Sequence, residues 1–161
     1  NNAVPEALTR MEPAARPRVL HQAGAKHLDT VLASYRENGV SAEVVPFIDD
    51  IAARYAETDL IVCRAGATTI AEIAAAGIAS VLVPYPHAVD DHQTINARFL
   101  ADRGAALLIP QPELTPQRLA EAFSGLTRER LLAMAQSARA AGKPEATRAV
   151  AKVCMDLAGA A

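Results

Sequence analysis

Apolar positions along this chain switch between helical and strand spacing, and the switch recurs from one end to the other. Val4, Ala7, Leu8 and Met11 lie at helical spacing, so the chain opens within a helix. RPRVLHQAG (16–24) ends a short strand at a turn, and 25–38 follows with Leu28, Val31, Leu32 and Tyr35 on one helical face. Gly39 stops that helix. SAEVVPFI (41–48) reads as a strand, DDIAARYAET (49–58) as a short helix begun by acidic residues, and DLIVCR (59–64) as a continuously apolar strand. A turn then leads into a helix ended by Gly77. ASVLVPYP (79–86) is a buried strand, 90–104 a helix closed by Gly104, and AALLIP (105–110) the last strand. Helices at 115–124, 127–141 and 145–158 complete the pattern.

Strand and helix thus alternate five times, and the strands are apolar throughout rather than on alternate residues. That combination predicts an α/β domain, residues 1–161, with a parallel sheet covered by helices on both faces. In such sheets ligands bind beyond the C-terminal ends of the strands. Four segments lie there: His21–Gly24, Phe47–Asp50, Arg64–Glu72 and Pro84–Gln93.

Composition narrows the functional classes. A net charge of −2 gives no electrostatic footprint for nucleic acid, and 4% aromatics without Trp offers no stacking platform for single strands. Two cysteines, Cys63 and Cys154, are too few for a disulfide framework, and their apolar neighbours predict buried, reduced thiols. No stretch reaches the roughly 18 apolar residues of a spanning helix, and the first residues lack the pattern of a signal peptide.

CRAGATTIAEIAAAG (63–77) carries two competing readings. Thr69-Ile70-Ala71-Glu72 matches a capping box, in which Glu72 folds back onto the N–H of the cap. Alternatively, free N–H groups of residues 67–70 and the positive helix end face a phosphate, with Glu72 accepting hydrogen bonds from a neighbouring diol. The fragment alone does not choose between them. In PYPHAVDDHQTINA (84–97), Asp90 or Asp91 serves as a helix cap, and the polar cluster around His87, His92, Gln93 and Asn96 suits a sugar. Adjacent Asp91 and His92 present two ligands to one ion poorly, which disfavours a metal there with His87. In PFIDDIA the main chain of Phe47–Ile48 could pair with a planar base, while Asp49 or Asp50 caps a helix. About 24 residues separate Ile48 from Glu72 and about 21 separate Glu72 from Gln93, one βα unit each. Together they outline a nucleotide-sugar site.

These motifs (HQAG, FIDD, CRAGATTIAEIAAAG and DDHQTINA) resemble, as a set, the C-terminal, donor-binding half of the MurG family. Its members are bacterial transferases that add N-acetylglucosamine from UDP-N-acetylglucosamine to undecaprenyl-pyrophosphoryl-muramoyl-pentapeptide, converting lipid I to lipid II. The likeness runs from about His21 to the last helix. It implies the Rossmann-like C-terminal half of an inverting GT-B glycosyltransferase, with no metal at the donor phosphates and no cofactor. It places the Ile48 main chain at the uracil and Ile51 near the nucleoside. Ala67, Thr68, Thr69 and Ile70 would supply N–H groups to the pyrophosphate, with Ala71 in the same turn. Glu72 would hold the ribose hydroxyls, and Gln93 with His92 the sugar ring.

The family also has an N-terminal domain with the acceptor site and general base, and a Gly-Gly-Ser loop after the first strand of its donor half. This chain corresponds to the part of the donor half C-terminal to that loop. The resemblance therefore implies that no catalytic base lies here, that the chain alone is inactive, and that lipid I binds through the other domain. It further implies that helices 127–161 pack back toward that domain, and that the enzyme sits peripherally on the cytoplasmic face of the bacterial membrane. Three other readings fit the residues: a free-standing donor-binding subunit, a UDP-N-acetylglucosamine 2-epimerase of the same fold, and a βα domain without a ligand.

Overall fold

The computed structural model describes residues 1–159 and, at Val89, the backbone alone. Its strands are β1 (Leu20–Gln22), β2 (Glu43–Val45), β3 (Leu60–Cys63), β4 (Ala79–Leu82) and β5 (Ala106–Leu108). Its helices are α1 (Ala3–Thr9), α2 (Leu28–Glu37), α3 (Ile51–Ala56), α4 (Ala67–Ala76), α5 (His92–Ala101), α6 (Pro116–Ser124), α7 (Arg128–Ala141) and α8 (Ala146–Gly159). Every predicted element is present, the strands shorter than their apolar runs. All strand pairing is parallel, but it forms two sets: β1 with β2, and β3–β4–β5 in that order.

The chain accordingly divides into two compact units. One comprises Asn1–Thr58 and Ile109–Leu131, the other Asp59–Leu108 and Leu132–Ala161; residues 160–161 lie outside the described residues.

In the first unit, Leu8, Ala23, Val31, Tyr35 and Val40 form the core, with Val4 and Met11 packed against it. The spacing read in the opening residues is thus the buried face of α1, which packs on α6. Tyr35 lies in this core with its hydroxyl 3.0 Å from His21 Nδ1, and burial pushes the phenol up to about 12.

In the second unit, β4 is the central strand and is buried along its whole length, as its unbroken apolar run predicts. The flanking strands β3 and β5 are less covered, and Val62 on β3 is exposed. Ile73 of α4 and Leu100 of α5 are fully buried. Gly77 ends α4 in the left-handed region at φ 73°, where an L side chain is strained.

Cys63 is partly covered, and burial raises its thiol to about 12. Cys154, expected to be buried, is exposed instead. It lies on α8, which buries no residue: Val150, Val153 and Leu157, at spacings of 3 and 4, are all exposed. The apolar neighbours of Cys154 belong to a helix face that the described residues leave uncovered.

Candidate functional site

In the second unit the candidate residues follow β3 and β4. Gly66 is the N-cap of α4, in extended conformation, and no side chain caps the helix. The helix therefore begins at Ala67, three residues before a Thr69-based capping box would require. Thr69 is its third residue and Glu72 its sixth, so the capping-box reading is wrong in register. Ile70 N–H donates to the Gly66 carbonyl at 2.9 Å, closing the first helical bond. Of the four N–H groups expected to be free, Ile70's is therefore taken. Those of Ala67, Thr68 and Thr69 belong to the open first turn. Ala67 and Thr68 are exposed, Ile70 is buried, and Ala71 and Glu72 are exposed one turn further in. Glu72 follows Thr68 by four residues and Thr69 by three, which puts the three on one helical face.

The first turn of α5 reaches across to this region. Gln93 Oε1 accepts from the main-chain N–H of Ala65 at 3.2 Å and of Tyr85 at 3.0 Å. Asn96 Nδ2 donates to the Ala65 carbonyl at 3.1 Å. Two N–H donors converging on one atom identify it as the amide oxygen. Gln93, expected to meet a sugar, thus has its oxygen committed to the main chain and keeps Nε2 as a donor. His92 is exposed at the start of α5.

Asp91 stands at the N-cap of α5, but its side chain caps no main-chain N–H. It accepts instead from the Thr94 hydroxyl at 2.6 Å. Asp90 and Asp91 are both left-handed, at φ 51° and 52°, a conformation aspartate tolerates better than most residues. His87 makes an edge-on contact with the Tyr85 ring. Among the described residues no three His, Cys, Asp or Glu side chains cluster as metal ligands.

Sequence reasoning passed over Arg64. Its Nη1 donates to the carbonyls of Val83 and Pro84 at 3.2 and 3.1 Å, and its guanidinium lies 5.6 Å from the centre of the Tyr85 ring. A cation directly after an apolar strand was the available signal.

In the first unit, Ile48 N–H donates to Gln22 Oε1 at 2.9 Å, so of the pair expected to meet a base the N–H is occupied. The Gln of HQAG was the signal for that contact. A cavity of about 260 Å³ beside Ile48 is lined in part by Val45, Phe47 and Arg54. Ile51 is exposed at the start of α3, whose N-cap Asp50 accepts from Ala53 N–H at 3.0 Å. Of the two acidic residues expected as that cap, Asp50 fills the role.

Residues 1–152 match the model of the glycosyltransferase family 28 C-terminal domain, a span that takes in both units. The chain belongs to glycosyltransferase family 28. Among its relatives is a protein of Aromatoleum aromaticum, 62% identical over 98% of this chain and 44% of its own length. Another, from Cupriavidus metallidurans, is 56% identical over 99% of this chain and 45% of its own. Both are named UDP-N-acetylglucosamine--N-acetylmuramyl-(pentapeptide) pyrophosphoryl-undecaprenol N-acetylglucosamine transferase. A solved structure, MurG of Acinetobacter baumannii, has a TM-score of 0.87 at 43% identity, covering 94% of this chain and 46% of that one. The glycosyltransferase VinC, 19% identical with a TM-score of 0.65, shares the fold alone. The chain therefore spans about half the length of the curated relatives it matches. These likenesses bear out the MurG resemblance and the C-terminal half of a GT-B fold.

Proposed function

We propose that this chain supplies the UDP-N-acetylglucosamine site of a transferase that moves N-acetylglucosamine onto lipid I to give lipid II. The observation that carries the proposal is the start of α4. It comes after a parallel strand, opens at a glycine without a side-chain cap, and shares a face between Thr68, Thr69 and Glu72. Relatives 52–62% identical, whose names specify that donor and acceptor, support it.

Ala67, Thr68 and Thr69 direct their N–H groups at the pyrophosphate, where the positive helix end favours an anion. Ile70 and Ala71 hold the turn in shape. Glu72 accepts from the ribose hydroxyls. His92 and Gln93 Nε2 bond the sugar hydroxyls. The carbonyl of Ile48 meets the base, its N–H joining if Gln22 yields, and Ile51 packs near the nucleoside.

The acceptor hydroxyl attacks the anomeric carbon as the bond to the UDP oxygen breaks. The hydroxyl proton passes to a base outside this chain. Negative charge grows on the departing UDP, so N–H groups fixed on the pyrophosphate stabilise the transition state more than the ground state. We further assign the exposed stripe of α8 to contact with the acceptor-binding part that the relatives' additional length represents. Docking of the whole protein on the cytoplasmic face of the membrane belongs to the same proposal. No helix among the described residues is long and apolar enough to cross a membrane.

Titration calorimetry with UDP tests the site. Glu72→Ala is expected to weaken UDP binding, and 2′-deoxy-UDP is then expected to bind that variant about as well as UDP does. Equal losses from deoxygenation in wild type and variant would refute the ribose assignment, and heat independent of Glu72 would refute the site.

A further inference from the structure

Asn96, grouped by sequence with the polar cluster that suits a sugar, gives its amide N–H to the main chain that leads into α4. Ala65 is fully buried and stands two residues past the end of β3 and one before Gly66, the N-cap of α4. Beyond the strand, its N–H and C=O have left the ladder, and buried main-chain groups must find partners elsewhere. Both partners come from α5: Gln93 Oε1 for the N–H, Asn96 Nδ2 for the carbonyl. Gln93 and Asn96 are three residues apart, on one helical face. The same Gln93 oxygen also holds the N–H of Tyr85, so one helical turn fixes the exits of two neighbouring strands.

We infer that Asn96 is a positioning residue for the anion-binding end of α4. The Ala65 carbonyl and the Gly66 N–H share one peptide plane. Holding the carbonyl sets the orientation of that plane, and with it the direction of the N–H groups of Ala67, Thr68 and Thr69. Asn96 thus acts on the pyrophosphate through the main chain. The inference rests on the reading of α4 as the pyrophosphate site.

The test compares two ligands that differ only in the diphosphate. Asn96→Leu keeps about the same size, removes the donor and adds no charge beside the diphosphate. Asn96→Ser is a milder change and carries the same comparison if the first variant fails to fold. Each intact chain is titrated with UDP and with uridine by nuclear magnetic resonance, after its melting curve shows a folded state. UDP affinity is expected to fall about tenfold, the scale of a well-aligned helix-end interaction, while uridine affinity stays at its wild-type value. Equal weakening of both ligands would make Asn96 a general support of the fold and overturn the inference. Unchanged UDP binding in a folded variant would overturn it too. A wild-type chain that fails to bind UDP refutes the donor-site reading itself, and the inference falls with it.

Discussion

Gly142 gives the sharpest structural test, because the three atoms nearest its Cβ position are all main chain. A Cβ built there would lie 2.5 Å from the Ala74 carbonyl oxygen, 2.8 Å from its carbonyl carbon and 3.1 Å from the Ala75 nitrogen. All three atoms belong to α4, so no rotamer change relieves the contact. Either α4 or the end of α7 must move by about 1 Å to restore ordinary carbon–oxygen separation. Overpacking of this kind costs about 1–3 kcal/mol, and a chain of this size loses roughly 2–4 °C of Tm per kcal/mol. With two contacts below 3.0 Å the upper part of that range applies, so Gly142→Ala should lower Tm by roughly 5–10 °C. The displacement also loads the C-terminal turn of α4, where Arg139 Nη1 donates to the Ala75 carbonyl. Thermal melts monitored by circular dichroism read the effect directly. Gly159→Ala is the control, since nothing lies within 4 Å of its Cβ position, and it should melt with the wild type. A Gly142→Ala chain melting within a degree of wild type would refute this packing of α7 on α4.

Two further outcomes rest on single groups. Ser80 is fully buried in β4, opposite Ile61 and Ala106, and its hydroxyl has no hydrogen-bond partner, so Ser80→Ala should raise stability by about 1 kcal/mol; a lower urea midpoint in the variant would contradict this. His21 is depressed below its ordinary 6.5 chiefly by burial, so on acidification the unfolded chain takes up a proton near 6.5 before the folded one does. Its contribution is therefore intact above that pH and lost as pH falls through the folded value, and His21→Gln should flatten the decline of the urea midpoint between pH 7.5 and pH 5. An unchanged slope would exclude His21 as its source.

The alternation of periods made the element order legible, because burial drives it and burial is written in residue type. β4 shows this most directly, as its apolar run is the strand covered on all four residues. Sheet pairing was less legible. Apolar strands call for neighbours on both sides, but among the described residues β1 and β3 each hydrogen-bond a single strand, and no local pattern announces an unpaired edge. Cys154 shows the same limit for α8: an apolar stripe reads as buried whether or not its partner belongs to the same stretch of chain.

The start of α4 is where local signals competed. Thr69 and Glu72 have the spacing of a capping box, but Ala67 and Thr68 tolerate helix well enough for the helix to begin earlier. Gly66, extended and bare at the cap, leaves the first turn open, and Ala65 behind it is locked by Gln93 and Asn96. A capping side chain would stabilise this helix by about 1 kcal/mol, and its absence is a local cost. That cost is intelligible if the N–H groups at the helix start are reserved for a ligand. The two readings of this stretch therefore differ by one physical variable, whether a side chain or a bound anion occupies the first turn, and the geometry leaves that turn open.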